Sequence, residues 1–263
     1  MSGTWTIYRR EVAGLFFSPL AWILLLVALF LNGVFFTFVY LAGAAGDVTL
    51  AFDLTLGGSW VFWLFLVLLP PVLAMRMLAE ESRTGSLEFL LTAPVTDVAV
   101  VLGKFLAATT FLALLWSSVL VYGLAIARAG VDPDWGGVLG GFLGAVLASA
   151  LFVSICLFAS SLTDTPLLAV FFGFVATLGW LMVPVLAGRM MVEARTLLAG
   201  LIGDVQGAEE WIRRGVYTMD VVSHAQQSFL RGILDTSELV FFATWTAFFL
   251  FLTTRSLEAR RWR

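Results

Sequence analysis

An all-α integral membrane protein with six transmembrane helices is the fold class that this sequence predicts. Three observations carry the prediction. Sixty per cent of the 263 residues are hydrophobic and only 13% are charged, about half the ~25% charge of ordinary soluble domains. Long runs free of Lys, Arg, Asp and Glu recur along the chain, and since a span needs about 20 apolar residues there is room for roughly six spans with short connections. One densely charged stretch, Ala79 to Lys104, is held between such runs. Its polar turns cannot sit in hydrocarbon, so it lies on the membrane surface, within reach of a water-soluble partner.

The elements follow in order. Residues 4–18 alternate charge and bulk. Ile7, Leu15 and Phe16 are expected to face lipid while Arg9, Arg10 and Glu11 face water, as in a helix lying along the membrane surface. Span one is about 19–41, with Trp22 and Tyr40 as interface anchors and Asn32 as its one strongly polar residue, read as a helix-packing contact rather than as a pathway lining. Arg9 and Arg10 before an apolar run ending in Ala42-Gly43-Ala44 imitate a signal peptide. The run from Pro19 to Tyr40 exceeds the 7–15 residues of a signal core, so it reads as a retained span. Span two, about 57–77, carries Pro70 and Pro71, which remove two amide donors and mark either a static kink or a candidate hinge.

Within the charged stretch, Glu80, Glu81, Arg83 and Glu88 are polar, while Leu87, Leu90 and Leu91 fall on one side at helical spacing. Pro94 stops the helix, and Thr96 or Asp97 caps the next. The bland reading is an ordinary loop; the sharper one is a docking helix over about 79–93. Span three is about 98–127, with Lys104 in its first turns, expected to reach back to the interface. Span four is about 136–162. Its Gly136, Gly140 and Gly144 fall four apart, a stripe that permits close contact within one chain or between copies. Span five is about 167–186. The long interval 188–238 reads as two amphipathic helices, about 192–202 and 208–234, and His224 within it as a polar-face residue. Span six, about 239–254, is near the lower limit for crossing.

Several chemistries are excluded. The chain has no Gly-x-x-x-x-Gly-Lys-Ser/Thr, so it binds no nucleotide through a phosphate loop, and any driving ATP needs a separate subunit. It has one histidine, one cysteine, no His-Glu-x-x-His and no Gly-x-Ser-x-Gly. This gives no catalytic, cofactor or metal residues and argues against a membrane-embedded enzyme. The net charge of −3 gives no case for nucleic acid. Spans so poor in charge argue against a conduit for small ions and suit an amphiphilic substrate or motion passed to another protein. With six spans, the N-terminal segment, the Arg76–Lys104 connection and the C-terminal tail share one side and hold nine of the fifteen Lys and Arg residues. That side is therefore read as cytoplasmic, with both termini on it.

The run Glu80-Glu81-Ser82-Arg83-Thr84-Gly85-Ser86-Leu87-Glu88-Phe89-Leu90-Leu91-Thr92-Ala93-Pro94-Val95, followed by Gly103-Lys104-Phe105, resembles the motif of type-2 ABC exporter permeases. It is nearest in pattern to the GldF-like branch, named for gliding motility, with the NosY-like branch next. The resemblance implies one transmembrane permease domain over 1–263 in the cytoplasmic (inner) membrane of a prokaryote. An N-terminal elbow helix would lie at 4–18, a cytoplasmic coupling helix at about 79–93, and outer helices at 188–238. The residues it implicates in coupling are Glu80, Glu81, Arg83, Thr84, Gly85, Leu87, Glu88, Leu90, Leu91, Thr92 and Pro94. Two permease copies, identical or paralogous, would pair with two ATP-binding cassette subunits that hold ATP and Mg, the chain itself binding no cofactor. Two functions follow: export across the membrane, or mechanotransmission to an outer partner, for which GldF-like systems often include an auxiliary membrane protein with an outer domain.

Overall fold

The computed structural model describes residues 2–85, 95–198, 215 and 219–261. Among the described residues the ordered elements are all helical, and six helices are long and apolar enough to cross a membrane. Helix α1 (Ser2–Phe16) ends at a break where Ser18 is extended and Pro19 opens α2 (Pro19–Val34). Proline suits that first position because its missing N–H would have had no partner there. Helix α2 continues as a π-helical segment to Leu41. The connection between spans one and two is itself ordered. Asp47 caps α3 (Val48–Asp53) by accepting from the Leu50 N–H, and a π-helical turn (Leu54–Gly58) follows, broken within by Gly57 at φ 146°.

Span two is α4 (Trp60–Met77), which runs unbroken through Pro70 and Pro71. Both prolines are buried, and Gly173 of the fifth span sits against Pro71, where an added Cβ would come within 3.2 Å of the proline ring. Helix α5 (Ala79–Thr84) follows a one-residue break at Leu78. Span three is α6 (Asp97–Trp116) with α7 (Ser118–Arg128); Thr96 caps α6 through the Ala99 N–H. Span four is α8 (Trp135–Ser161), span five α9 (Pro166–Leu198). Next come α10 (Val221–Gln227), a 3₁₀ turn (Phe229–Arg231) and α11 (Thr236–Arg261).

Helix α8 is the axis of the bundle. It packs against α4, α6, α9, α11 and the 3₁₀ turn, and 72% of its most apolar stretch is buried, against 22% for span one, 28% for span five and 17% for span six. Without a hydrophobic drive between helices in lipid, close packing has to supply the attraction. The wall of α8 is accordingly small or fully interdigitated: Ala145, Ala148, Leu151, Phe152 and Val153 have no exposed surface. Where an aromatic polar atom enters this core it is satisfied, as buried Trp116 is by donating to the Ser149 hydroxyl at 2.9 Å.

Three expectations change. Span six is not short: α11 covers Thr236–Arg261, and its membrane-compatible part reaches Ala259. Helix α9 does not stop near Leu186 but runs to Leu198, so the piece expected at 192–202 begins as its continuation; its remainder, 199–202, lies outside the described residues. The long helix expected over 208–234 is interrupted. Asp220 caps a new start by accepting from the Val222 and Ser223 N–H groups, and Gly232 at φ 68° ends the 3₁₀ turn. Apolar spacing alone did not reveal these caps.

Candidate functional site

At the end of the bundle holding α1, α5, the start of α6 and the α8–α9 turn, four parts of the chain meet around a buried ammonium group. The meeting begins with the break after α4. Leu78 leaves helical geometry at φ −123°, and the orphaned backbone groups on either side of it are bridged from span four. The Ser160 hydroxyl accepts from the Ala79 N–H at 3.1 Å and donates to the Ala74 carbonyl at 3.0 Å. One turn on, the Ser82 hydroxyl donates to Asp164 in the α8–α9 turn at 2.6 Å. Helix α5 is thus hung from span four and its following turn. Its far end closes on Gly85 in the left-handed region (φ 73°), which glycine adopts without strain.

On its other flank α5 meets α1. Lys104 of α6 has no exposed surface, and its Nζ lies 2.7 Å from Glu81 of α5 and 3.0 Å from Glu11 of α1. Arg10 joins both carboxylates, at 2.6 Å to Glu11 and 3.1 Å to Glu81. Arg76 at the end of α4 pairs with Glu80 at 3.4 Å and donates to the Ser18 hydroxyl at the α1–α2 break. Burial opposes the charge of Arg10, but the hydrogen bond to Glu11 and the fields of Glu11 and Glu81 outweigh it and raise its pKa. Six ionic side chains therefore balance, three of each sign. A cavity of about 300 Å³ beside them is lined by Glu11, Gly14, Arg76, Glu80, Glu81 and Thr84.

The close approach of α1 has a second cause. A Cβ at Gly103 would lie 2.6 Å from Ile7 Cγ2, so the glycine before Lys104 admits α1 at the turn where the lysine needs it. Two expectations fail here. Lys104 does not reach to the interface, because two carboxylates solvate its ammonium inside the protein. Ile7 and Leu15 do not face lipid; they are buried on the face of α1 turned inward.

Of the residues implicated in coupling, Glu80, Glu81, Arg83, Thr84 and Gly85 are gathered on α5 and its cap, while Leu87, Glu88, Leu90, Leu91, Thr92 and Pro94 lie outside the described residues. Asn32 is buried in span one, and its side-chain oxygen has no hydrogen-bond partner among the described residues. Gly140 and Gly144 seat the 3₁₀ turn rather than another long helix: Cβ atoms there would run into the Phe229 carbonyl and the Phe229 side chain. Gly136 meets the backbone of Gly232. The stripe thus makes its contact within one chain. Beside it, His224 is not on a polar face. It is buried, 2.5 Å from buried Glu238 of α11, and stacked on Phe241.

Sequence reasoning missed Arg10, Glu11, Ser160 and Asp164 as members of the junction. A glutamate among the polar residues of α1 and a lysine inside an apolar helix each want a counter-charge, but nothing in the spacing says that they find each other across 93 positions. No group of three or more metal-ligating side chains occurs among the described residues. Residues 17–193 match the sequence model of the family described as ABC-2 family transporter protein. No curated protein matches the sequence.

Proposed function

We propose that this chain, which belongs to the ABC-2 transporter family, receives the stroke of its ATP-binding partner on α5 and the segment after it. It passes that stroke into the spans to drive export. The chain is a multi-pass membrane permease of an ABC transporter and partners an ATP-binding subunit. The finer reading rests on one observation. Helix α5 is separated from span two by the break at Leu78, yet is tied through Glu81 to α1 and α6 and through Ser82 to the α8–α9 turn. A helix so placed is set off from span two and bonded to several elements, as a receiver of force must be.

In this reading α1 is an elbow helix on the cytoplasmic side. Residues 79–93 are the coupling helix, both termini are cytoplasmic, two permease copies assemble with two ATPase subunits that hold ATP and Mg, and Pro70-Pro71 give span two a hinge. The first test is purification of the tagged chain in mild detergent with identification of co-purifying proteins. A subunit bearing a phosphate-binding loop, retained by wild type and lost when 80–94 is scrambled, is the expected result. Gly85→Trp, which cannot keep a positive φ without strain, and Glu88→Lys should leave membrane insertion intact and uncouple ATPase activity from transport. Unchanged assembly and transport in both would remove the docking role.

A second reading keeps the same subunits and ATP but sends the motion to an outer partner of the gliding-motility or secretion type. What favours it is the packing of 221–235 onto span four, which makes the outer segment part of the bundle rather than a loose connection. Reconstituted vesicles that move an amphiphile with ATP would decide for export; loss of an outer partner on deleting the interval, without any flux, would decide for mechanotransmission.

A further inference from the structure

We infer that Lys104 is the positioning residue of the coupling step: it locks α1, α5 and the start of α6 into one body that moves as a unit. The inference rests on the coupling role of α5 proposed above and adds the route by which force leaves it. Three observations combine. The Lys104 ammonium has no exposed surface and stands 2.7 and 3.0 Å from carboxylates on two other helices. Gly103 presses Ile7 of α1 into α6 on the same turn, so the charge contact is backed by a close apolar one. Tyr8 and Thr110 meet at 3.3 Å two turns further along. Charge pairs out of contact with water are little screened by salt, and a buried ammonium with one carboxylate withdrawn would be left poorly solvated. Separation of α1 from α5 is therefore strongly disfavoured, while α4 and α5 meet across the broken turn at Leu78, bridged by the Ser160 hydroxyl and the partly exposed Arg76–Glu80 pair. A push on α5 is accordingly carried sideways into α1 and span three as well as upward into span two.

The test uses the complex with its ATP-binding subunit, in a background where Cys156 is alanine. Spin labels are placed at Ala13 and Arg83, and in a second sample at Arg83 and Leu186. Distances are measured without nucleotide and with a non-hydrolysable ATP analogue. In wild type the Ala13–Arg83 distance should be unchanged by nucleotide while Arg83–Leu186 shifts. A change in Ala13–Arg83 in wild type overturns the proposal without recourse to any variant. The triple variant Lys104→Met, Glu11→Gln, Glu81→Gln removes the lock without leaving a buried charge. Glu81→Gln alone is measured beside it, so that any loss of the ATP-binding subunit through Glu81 is separated from loss of the lock. The triple variant's Ala13–Arg83 distance should become nucleotide-dependent, and its Arg83–Leu186 shift should fall by half or more. A triple variant with the wild-type response at both pairs would show that the cluster only neutralises buried charge, and the lock would be wrong. Absence of any nucleotide response at either pair in wild type would instead overturn the coupling reading beneath it.

Discussion

The two ends of this bundle are fastened by opposite means. At one end α1, α5 and α6 are held by full charges, with Lys104 between Glu11 and Glu81. At the other, the 3₁₀ turn is held against α8 by the absence of side chains at Gly140, Gly144 and Gly232. A charge pair acts over several ångströms and keeps its direction as groups shift. A glycine contact acts only in touch, and a displacement of 1 Å forfeits much of it. The first kind of joint suits parts that must stay together while moving; the second suits parts that must fit or separate.

The comparison can be broken first at the charged end. Lys104→Met leaves two carboxylates facing one another with Arg10 alone between them, and should lower stability by about 3–5 kcal/mol, the range for breaking a buried pair from one side. Thermal unfolding in detergent, followed by tryptophan fluorescence, measures it. The triple neutral variant should recover most of the loss, and failure to do so would mean that the charges are not what holds the junction.

At the glycine end, Gly144→Leu would push against Phe229 at 2.8 Å from the first added carbon. The overpacking should cost about 1–3 kcal/mol and expose the segment between residues 219 and 235 to protease. Glu238→Gln, which keeps the shape and removes the charge facing His224, should cost less, about 1–2 kcal/mol, since a hydrogen bond to a charged group is replaced by a neutral one. Equal protease protection in all three proteins would refute the seat. Gly103→Ala tests whether the two mechanisms mix at one turn. Its Cβ forces Ile7 aside, so α1 should loosen by about 1 kcal/mol, and the loss should grow at high salt only if it admits water to Lys104.

The smallest effect is expected at Asp235. It accepts from the Ser237 N–H at 3.0 Å at the start of α11, and that backbone bond, with the Ser237 hydroxyl, holds its carboxyl below the usual carboxylate range. A lowered folded pKa means that the bond stabilises above the unfolded value and is lost as pH falls through the folded one. A pH titration of unfolding should show this loss in wild type below the ordinary carboxylate pKa, and Asp235→Ala should lack that component.

Much of the architecture was legible because hydrocarbon leaves few choices. Uncharged runs of about 20 residues gave the spans, and the pair Thr96 and Asp97 held the cap of the third, which Thr96 supplies. The charged stretch could be placed at a surface for the same reason. What stayed hidden were pairings. Lys104 taken alone reads as a side chain that reaches for water, because the carboxylates that replace water lie 23 and 93 positions away. His224 reads as polar surface until Glu238 and Phe241 cover it. The glycine stripe was visible as a stripe, but its partner is a 3₁₀ turn that periodicity does not reveal.

One hydroxyl has a mechanical meaning. Ser160 holds both sides of the break at Leu78, bonded to Ala74 behind it and Ala79 ahead, and so acts as a fulcrum. Helix α5 is the lever arm: six residues at about 1.5 Å each give about 9 Å from pivot to Gly85. A rotation of about 10° about that pivot displaces the tip by only about 1.5 Å. The pivot belongs to α8, the most buried span, so any rotation of α5 would turn about the best-anchored part of the bundle. Ser160→Ala would remove the bearing without touching the arm, and the angle between span two and α5 would no longer be set by the centre of the molecule.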